Sequence, residues 1–174
     1  MNKAGFATVN PSTGEEIEAF SYFTPEQTEK VVASADKSFQ SFRKLSVHKR
    51  ARLFTDLGNS LRKNRAQLAK VISTEMGKIF SEAEAEIEKC AHEADWYAEH
   101  GPKILEDEPA PTGTVNAYVS YLPLGPILAI MPWNFPIWQL TRMAINTQLL
   151  ELRRLMARWR HMVEIIKQRL RIFT

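Results

Sequence analysis

The sequence predicts an α/β protein in which a helical front leads into the first strand of a buried sheet. Three observations carry this prediction. Capping signals and apolar stripes at helical spacing recur between Thr24 and Gly101. A turn-rich break comes next, at Pro109-Ala110-Pro111-Thr112-Gly113. Behind the break lies a short, continuously apolar run, Pro126-Ile127-Leu128-Ala129-Ile130, which suits a strand buried on both faces of a parallel sheet.

Taken in order, Val9-Asn10-Pro11-Ser12-Thr13-Gly14 reads as a reversal, and Glu16-Ile17-Glu18-Ala19-Phe20 alternates as a strand does. Thr24-Pro25-Glu26-Gln27 combines a capping Thr, a Pro at the first helical position and a Gln three residues after the cap. The stripe behind it is Val31, Val32, Ala35, Phe39 and Phe42. Ser46 caps a second helix with Leu53, Phe54, Leu57 and Leu61 on its buried face. Leu68, Val71, Ile72 and Met76 mark a third, stopped by Gly77. Ser81 is expected to open a long fourth helix through Ile87, Cys90, Ala91, Ala94 and Tyr97, closed by Gly101-Pro102. Val115 to Leu122 then alternates and is rich in β-formers. No repeat or low-complexity tract interrupts this order. Strands that would flank Ile127 to Ile130 are not evident between Met131 and Thr174, so its edges are expected to stand unpaired.

Composition bounds the function classes. The 174 residues are one domain in size, and 44% hydrophobic with 25% charged residues is globular composition, not that of a disordered chain. Cys90 is the only cysteine, which rules out an intrachain disulfide and makes a reducing, cytoplasmic setting the expectation. No apolar run comes after Met1-Asn2-Lys3-Ala4-Gly5-Phe6, so no secretory signal is expected, and no stretch approaches the roughly 18 apolar residues of a membrane span. The net charge of +3 is unevenly spread. From Gln148 onward there are seven Lys/Arg against two acids; of the totals of 23 and 20, that leaves sixteen basic and eighteen acidic residues before it. The basic pI of about 9.0 belongs to the tail, and nucleic-acid binding is not expected.

Chemistry concentrates in Pro132-Trp133-Asn134-Phe135-Pro136, directly after the apolar run. The prolines restrict the backbone and hold Trp133 and Asn134 at the carboxyl end of the strand, where α/β sheets place ligands. The Asn side-chain amide offers two N–H donors, which can stabilise an oxygen that gains charge without transferring a proton. The Trp ring offers a flat apolar wall. On physics alone an aromatic, proline-bracketed loop packing on a core is the favoured alternative to a ligand site.

The residues also carry a resemblance. The loop is similar to the one that bears the oxyanion-stabilising Asn in the aldehyde dehydrogenase superfamily. Asn10-Pro11-Ser12-Thr13-Gly14-Glu15 resembles that family's opening turn, Glu75-Met76-Gly77-Lys78 its helix-end motif and Asp95-Trp96-Tyr97-Ala98 its next helix. Leu124-Gly125-Pro126-Ile127 resembles the strand leading into the loop. The likeness runs from about Phe6 to about Thr147. Asp95 to Pro102 and Ile130-Met131-Pro132 look most like bacterial succinate-semialdehyde dehydrogenases.

The resemblance implies a three-layer αβα fold, of which this chain is a mostly helical part with a few strands. Residues 1–147 would be the N-terminal part of the NAD(P)-binding domain. The stretch at about 112–124 resembles the β-arm through which family members dimerise. In the family a Cys thiolate attacks the aldehyde, hydride passes to NAD or NADP, and a Glu activates water to release the acid. Carried over, Asn134 is the oxyanion donor, and Ile130, Met131, Pro132 and Trp133 lie along the nicotinamide and its ribose. The expected substrate is a small aldehyde, succinate semialdehyde first.

The pattern departs from the family after Thr147. Where a small-residue turn, a buried strand and a ribose-holding Lys are expected, residues 148–174 begin Gln148-Leu149-Leu150-Glu151-Leu152-Arg153-Arg154 and stay rich in Arg. This is read as an out-of-frame or rearranged end. The family's nucleophile and general base have no match, so the chain is expected to be a truncated, inactive dehydrogenase with weak or no NAD(P) binding. Cys90 lies on a helix between Glu88, Lys89 and His92 and reads as a half-buried structural thiol. Glu82, Glu84, Glu86 and Glu88 read as a solvated face. His48, His92, His100 and His161 show no metal spacing, and no metal site is expected. Leu149, Leu152, Met156, Trp159, Val163, Ile166, Leu170 and Phe173 recur at steps of three and four, as in a basic amphipathic helix or by coincidence. A docking helix, with the dimer arm, would make the chain a non-catalytic interaction module.

Overall fold

The computed structural model describes residues 5–110, 117–149 and 154–156. A hairpin opens it: β1 (Gly5–Val9) pairs antiparallel with β2 (Glu16–Ser21), from Gly5↔Ser21 to Val9↔Glu16. The turn closes where the sequence asks for it. Asn10 Oδ1 accepts from Ser12 N at 2.9 Å, Gly14 N donates to Asn10 O at 2.8 Å, and Gly14 takes φ 74°, a value most side chains disfavour. Phe6 stacks on Phe20 across the pair.

Four helices come next. α1 (Pro25–Phe42) carries the complete capping box, with Thr24 Oγ1 accepting from Gln27 N and Gln27 Oε1 accepting from Thr24 N. Its predicted stripe is buried only at the far end: Phe39 and Phe42 are buried, while Val31 and Val32 are exposed. α2 (Val47–Lys63) is capped by Ser46, and α3 (Arg65–Met76) stops at Gly77, which adopts φ 70° and returns its N–H to Ser73 O.

α4 (Phe80–Ile104) departs from both expected ends. It starts one residue before Ser81 without a side-chain cap, and it runs through Gly101-Pro102 instead of stopping there. Pro102 is tolerated because it stands in the last turn, where one lost backbone hydrogen bond disturbs little of the helix.

The core is built on α4. Ala83, Ile87, Cys90, Ala91 and Ala94 meet Phe54, Leu57 and Leu61 of α2 and Leu68, Ala69 and Ile72 of α3. α2 and α4 come close at Gly58: a Cβ there would lie 2.7 Å from Asp95 Oδ1 and 3.1 Å from Ala91 O of α4. α5 (Pro136–Leu149) adds Ile137 and Ile145 to the same core and extends two residues past the expected boundary at Thr147.

Three expectations about the strands are corrected. β3 (Glu108–Pro109) pairs antiparallel with β4 (Tyr118–Val119), so Pro109 belongs to a strand pair and not only to a break. Residues 111–116, which hold most of the expected turn and the front of the 112–124 arm, lie outside the described residues. β5 (Ile127–Ala129) is not buried on both faces: Ala129 is buried but Leu128 is 54% exposed. β5 also has a neighbour. β6 (Arg154–Met156) runs parallel to it in the register Ile127↔Arg154 to Ala129↔Met156. Arg154 to Met156 are therefore a strand where the period suggested a basic helix, since pairing with an open edge satisfies backbone groups that a surface helix would leave β5 without. The continuous docking helix of the interaction-module reading goes with it; residues 150–153 and 157–174 lie outside the described residues.

Candidate functional site

The loop of interest joins the carboxyl end of β5 to the start of α5. Pro136 occupies the first helical position, where its missing N–H costs nothing. The residue before it, Phe135, stands where helices take a capping side chain, and a phenyl ring has no acceptor to offer. The acceptor comes from another element. Glu86 of α4 reaches across so that its Oε1 receives the backbone N–H groups of Ile137 at 2.9 Å and Trp138 at 3.1 Å. A carboxylate at this position satisfies two orphan amides and meets the positive end of the helix dipole.

Lys78 completes the arrangement. Its Nζ is bonded to Glu86 Oε2 and sits 3.8 Å from the centroid of the Phe135 ring. The side chains of both charged partners are almost wholly withdrawn from water, at 11% and 1% exposure for Lys78 and Glu86. Lys89 lies over the Trp138 ring in the same way, at 3.8 Å. Glu86 and Lys89 thus hold the first turn of α5 to α4, and Lys78 ties in the residue before it.

The solvated-face reading is therefore wrong for Glu86. Glu84 and Glu88 pair with Arg65 and Arg62, and Glu82 is exposed, but Glu86 is buried. A signal for it was present. Glu86 falls on the helical stripe of Ala83, Ile87, Cys90 and Ala94, and a carboxylate on a buried stripe must have a partner.

The five residues singled out from sequence form one continuous segment. Ile130, Pro132, Trp133 and Asn134 are exposed and Met131 is half-buried. Trp133 is 64% exposed, so the ring is open to a ligand and does not pack away into a core. Asn134 immediately precedes the clamped Phe135.

Cys90 is elsewhere and of another kind. It is fully buried at the α4–α5 contact, hydrogen-bonded with Thr141. Burial pushes its thiol from the ordinary 9.0 up to about 12, so no useful thiolate forms near neutrality. The reading as a structural thiol stands, with the side chain buried instead of half-buried. Burial also raises Glu93 on the same helix, against an opposing pull from Arg142. Among the described residues no group of three or more His, Cys, Asp or Glu is placed to hold a metal ion, and no helix is long and apolar enough to cross a membrane.

Comparison with known proteins bears on what this loop belongs to. The model of the aldehyde dehydrogenase family matches residues 1–149. The NAD(P)+ succinate semialdehyde dehydrogenase Sad of Escherichia coli K12 is 41% identical over 138 residues, which cover 79% of this chain and 30% of that protein. The NADP+ succinate-semialdehyde dehydrogenase 1 of Mycobacterium tuberculosis is 41% identical over 141 residues, covering 79% and 31%. Among solved structures, Gox0499 superposes with a TM-score of 0.91 at 26% identity, over 98% of this chain and 38% of that one. Succinic semialdehyde dehydrogenase of Streptococcus pyogenes, solved with NADP+, gives 0.87 at 27%, over 95% and 37%. The chain thus spans about a third of the length of the relatives it matches. A family match over residues 1–149, which takes in the hairpin, the clamped loop and α5, shows that this chain belongs to the aldehyde dehydrogenase family.

Proposed function

We propose that the chain carries the oxyanion- and nicotinamide-facing corner of an NAD(P)-dependent aldehyde dehydrogenase acting on succinate semialdehyde, and that the 174-residue chain alone turns over no aldehyde. The observation behind this is the exposed segment 130–134, set between the carboxyl end of β5 and α5 inside the family match. In this reading the Asn134 side-chain amide donates to the aldehyde oxygen as it gains charge, and a neutral donor stabilises that charge without giving up a proton. Ile130, Met131, Pro132 and Trp133 form the apolar wall for the nicotinamide and its ribose. NAD(P)+, when bound, accepts the hydride.

The residues present fit the cofactor only at that end. A pyrophosphate is commonly held by free amides at a helix N-terminus, and at α5 the amides of Ile137 and Trp138 already belong to Glu86. No glycine occurs after Gly125 to form a phosphate-cradling turn. Cofactor binding by this chain should therefore be weak. Inactivity alone is expected from the buried, strongly basic Cys90 thiol, the only one in the chain. A cytoplasmic setting and a homodimer contact through 112–124 belong to the same proposal.

Two measurements on the purified chain test it. No NAD(P)H should form from succinate semialdehyde or other small aldehydes; turnover that survives Cys90→Ala would overturn this part. Titration with NADP+ should perturb the nuclear resonances of residues 130–134 without saturating in the micromolar range. Micromolar affinity, or no perturbation of those residues at millimolar cofactor, would count against the assignment.

A further inference from the structure

We infer that Glu86, acting with Lys78, is the positioning residue that holds the Asn134 loop in place; the importance of that loop rests on the function proposed above. The geometry gives Glu86 two separate holds. Through Oε1 it fixes the amides of Ile137 and Trp138, the second and third residues of α5. Through Oε2 it fixes Lys78, and the Lys78 ammonium lies 3.8 Å from the centroid of the Phe135 ring. The backbone just after Asn134 and the side chain of its immediate neighbour are thus tied to one carboxylate on a different helix.

Between these holds and Asn134 there is little freedom to lose. Pro136 restricts Phe135, and Pro132 fixes its own φ two residues upstream of Asn134. Asn134 itself is exposed, and its neighbours Trp133 and Phe135 are 64% and 44% exposed, so burial of the loop does little to place it. An exposed segment that must present one amide in a fixed direction needs a tether from a rigid element, and a buried carboxylate on the core helix supplies one.

A helix cap alone would hold α5 and leave the loop free, and this difference makes the inference testable. The 174-residue chain is labelled for nuclear magnetic resonance, and three sets of signals are followed: the Ile137 and Trp138 amides, the Asn134 side-chain amide with the Trp133 indole, and the amides of α2 and α3. In Glu86→Ala we expect hydrogen exchange at Ile137 and Trp138 to quicken at least about tenfold. We also expect the Asn134 and Trp133 signals to move toward averaged positions, with those of α2 and α3 unchanged. Glu86→Gln keeps a carbonyl acceptor for both amides but turns an NH2 donor toward Lys78. Exchange at Ile137 and Trp138 should therefore return toward that of the parent chain while the Asn134 and Trp133 signals stay shifted, as in a chain that lacks the Lys78 hold.

Asn134 and Trp133 signals that stay in place in Glu86→Ala would reduce Glu86 to a cap and overturn the inference. So would a folded Glu86→Gln whose Asn134 and Trp133 signals coincide with those of the parent chain. Lys78→Met covers the case in which Glu86→Ala fails to fold. It leaves Glu86 Oε1 as the acceptor for both amides and removes the cation that joins Oε2 to the Phe135 ring, so it should shift Asn134 and Trp133 while Ile137 and Trp138 hold. An unmoved loop in that variant would also overturn the inference. None of these readouts contains cofactor or aldehyde, so failure of NAD(P) binding or turnover counts against the proposed function and not against this tether.

Discussion

At the scale of single residues, surroundings decide what a side chain can do. Cys90 has the chemistry of a nucleophile and the environment of a core methyl group: it is fully shielded from solvent, and its thiol is pushed up to about 12. It should resist alkylation in the folded chain and react once the chain is unfolded; rapid labelling under native conditions would contradict the burial. The same shift sets a pH dependence. A thiol whose folded value is raised keeps its full contribution to stability below the unfolded value near 9.0 and loses it as pH rises toward about 12. The loss should approach about 1.4 kcal/mol per pH unit in that window. Denaturant melts of Cys90→Ala should be flatter between those limits than melts of the parent chain, and equal slopes would contradict the account. Asn134 and Glu86 differ in how they could be read. The loop around Asn134 could be singled out because its motif is local, five consecutive residues bracketed by prolines. The role of Glu86 depends on a partner 51 residues away, which no local pattern contains.

At the scale of elements, local signals succeeded where the physics is local. The Thr24–Gln27 box, the Ser46 cap and the left-handed Gly77 each satisfy their own helix end within four residues. Reading failed where a neighbour intervened. α4 ignores Ser81 and Gly101-Pro102 as boundaries, and Val31 and Val32 of α1 reach no core. β6 pairs with β5 at a separation that the helical spacing of the same residues could not reveal. The α2–α4 contact carries its own prediction. Gly58 faces Asp95 and the Ala91 carbonyl so closely that Gly58→Ala must move backbone or disturb the Arg62–Asp95 pair at 2.7 Å. We expect a loss of about 1–3 kcal/mol in denaturant unfolding, more than the gain alanine brings to a helix interior. A neutral or stabilising effect would show that the helices sit further apart.

At the scale of the molecule, the helical body and the loop region differ in how much they bury. The core on α4 is closed, but from Tyr118 to Phe135 a succession of large apolar side chains stands in water, among them Leu122, Leu124, Leu128, Ile130 and Trp133. Each forfeits roughly 1.5–3 kcal/mol relative to burial, against a typical net stability of about 5–15 kcal/mol. Such a surface favours self-association. Size-exclusion chromatography of the 174-residue chain should show concentration-dependent species larger than a monomer, and a chain ending at Thr147, without β6 beside β5, should associate more strongly. A monodisperse monomer in both cases would contradict this.

If residues 1–149 carry a competent Asn134 corner, as proposed, they should work inside a full-length member of the family, and a chimera can show it. Residues 1–149 of this chain replace the matched part of the Escherichia coli relative, and kcat and KM for succinate semialdehyde are measured with and without Asn134→Ala. The chimera should be active, and its kcat should fall by about 10²–10³-fold on that substitution, the effect of removing one oxyanion donor, with KM changed far less. A chimera that oxidises succinate semialdehyde equally well with alanine at that position would contradict it.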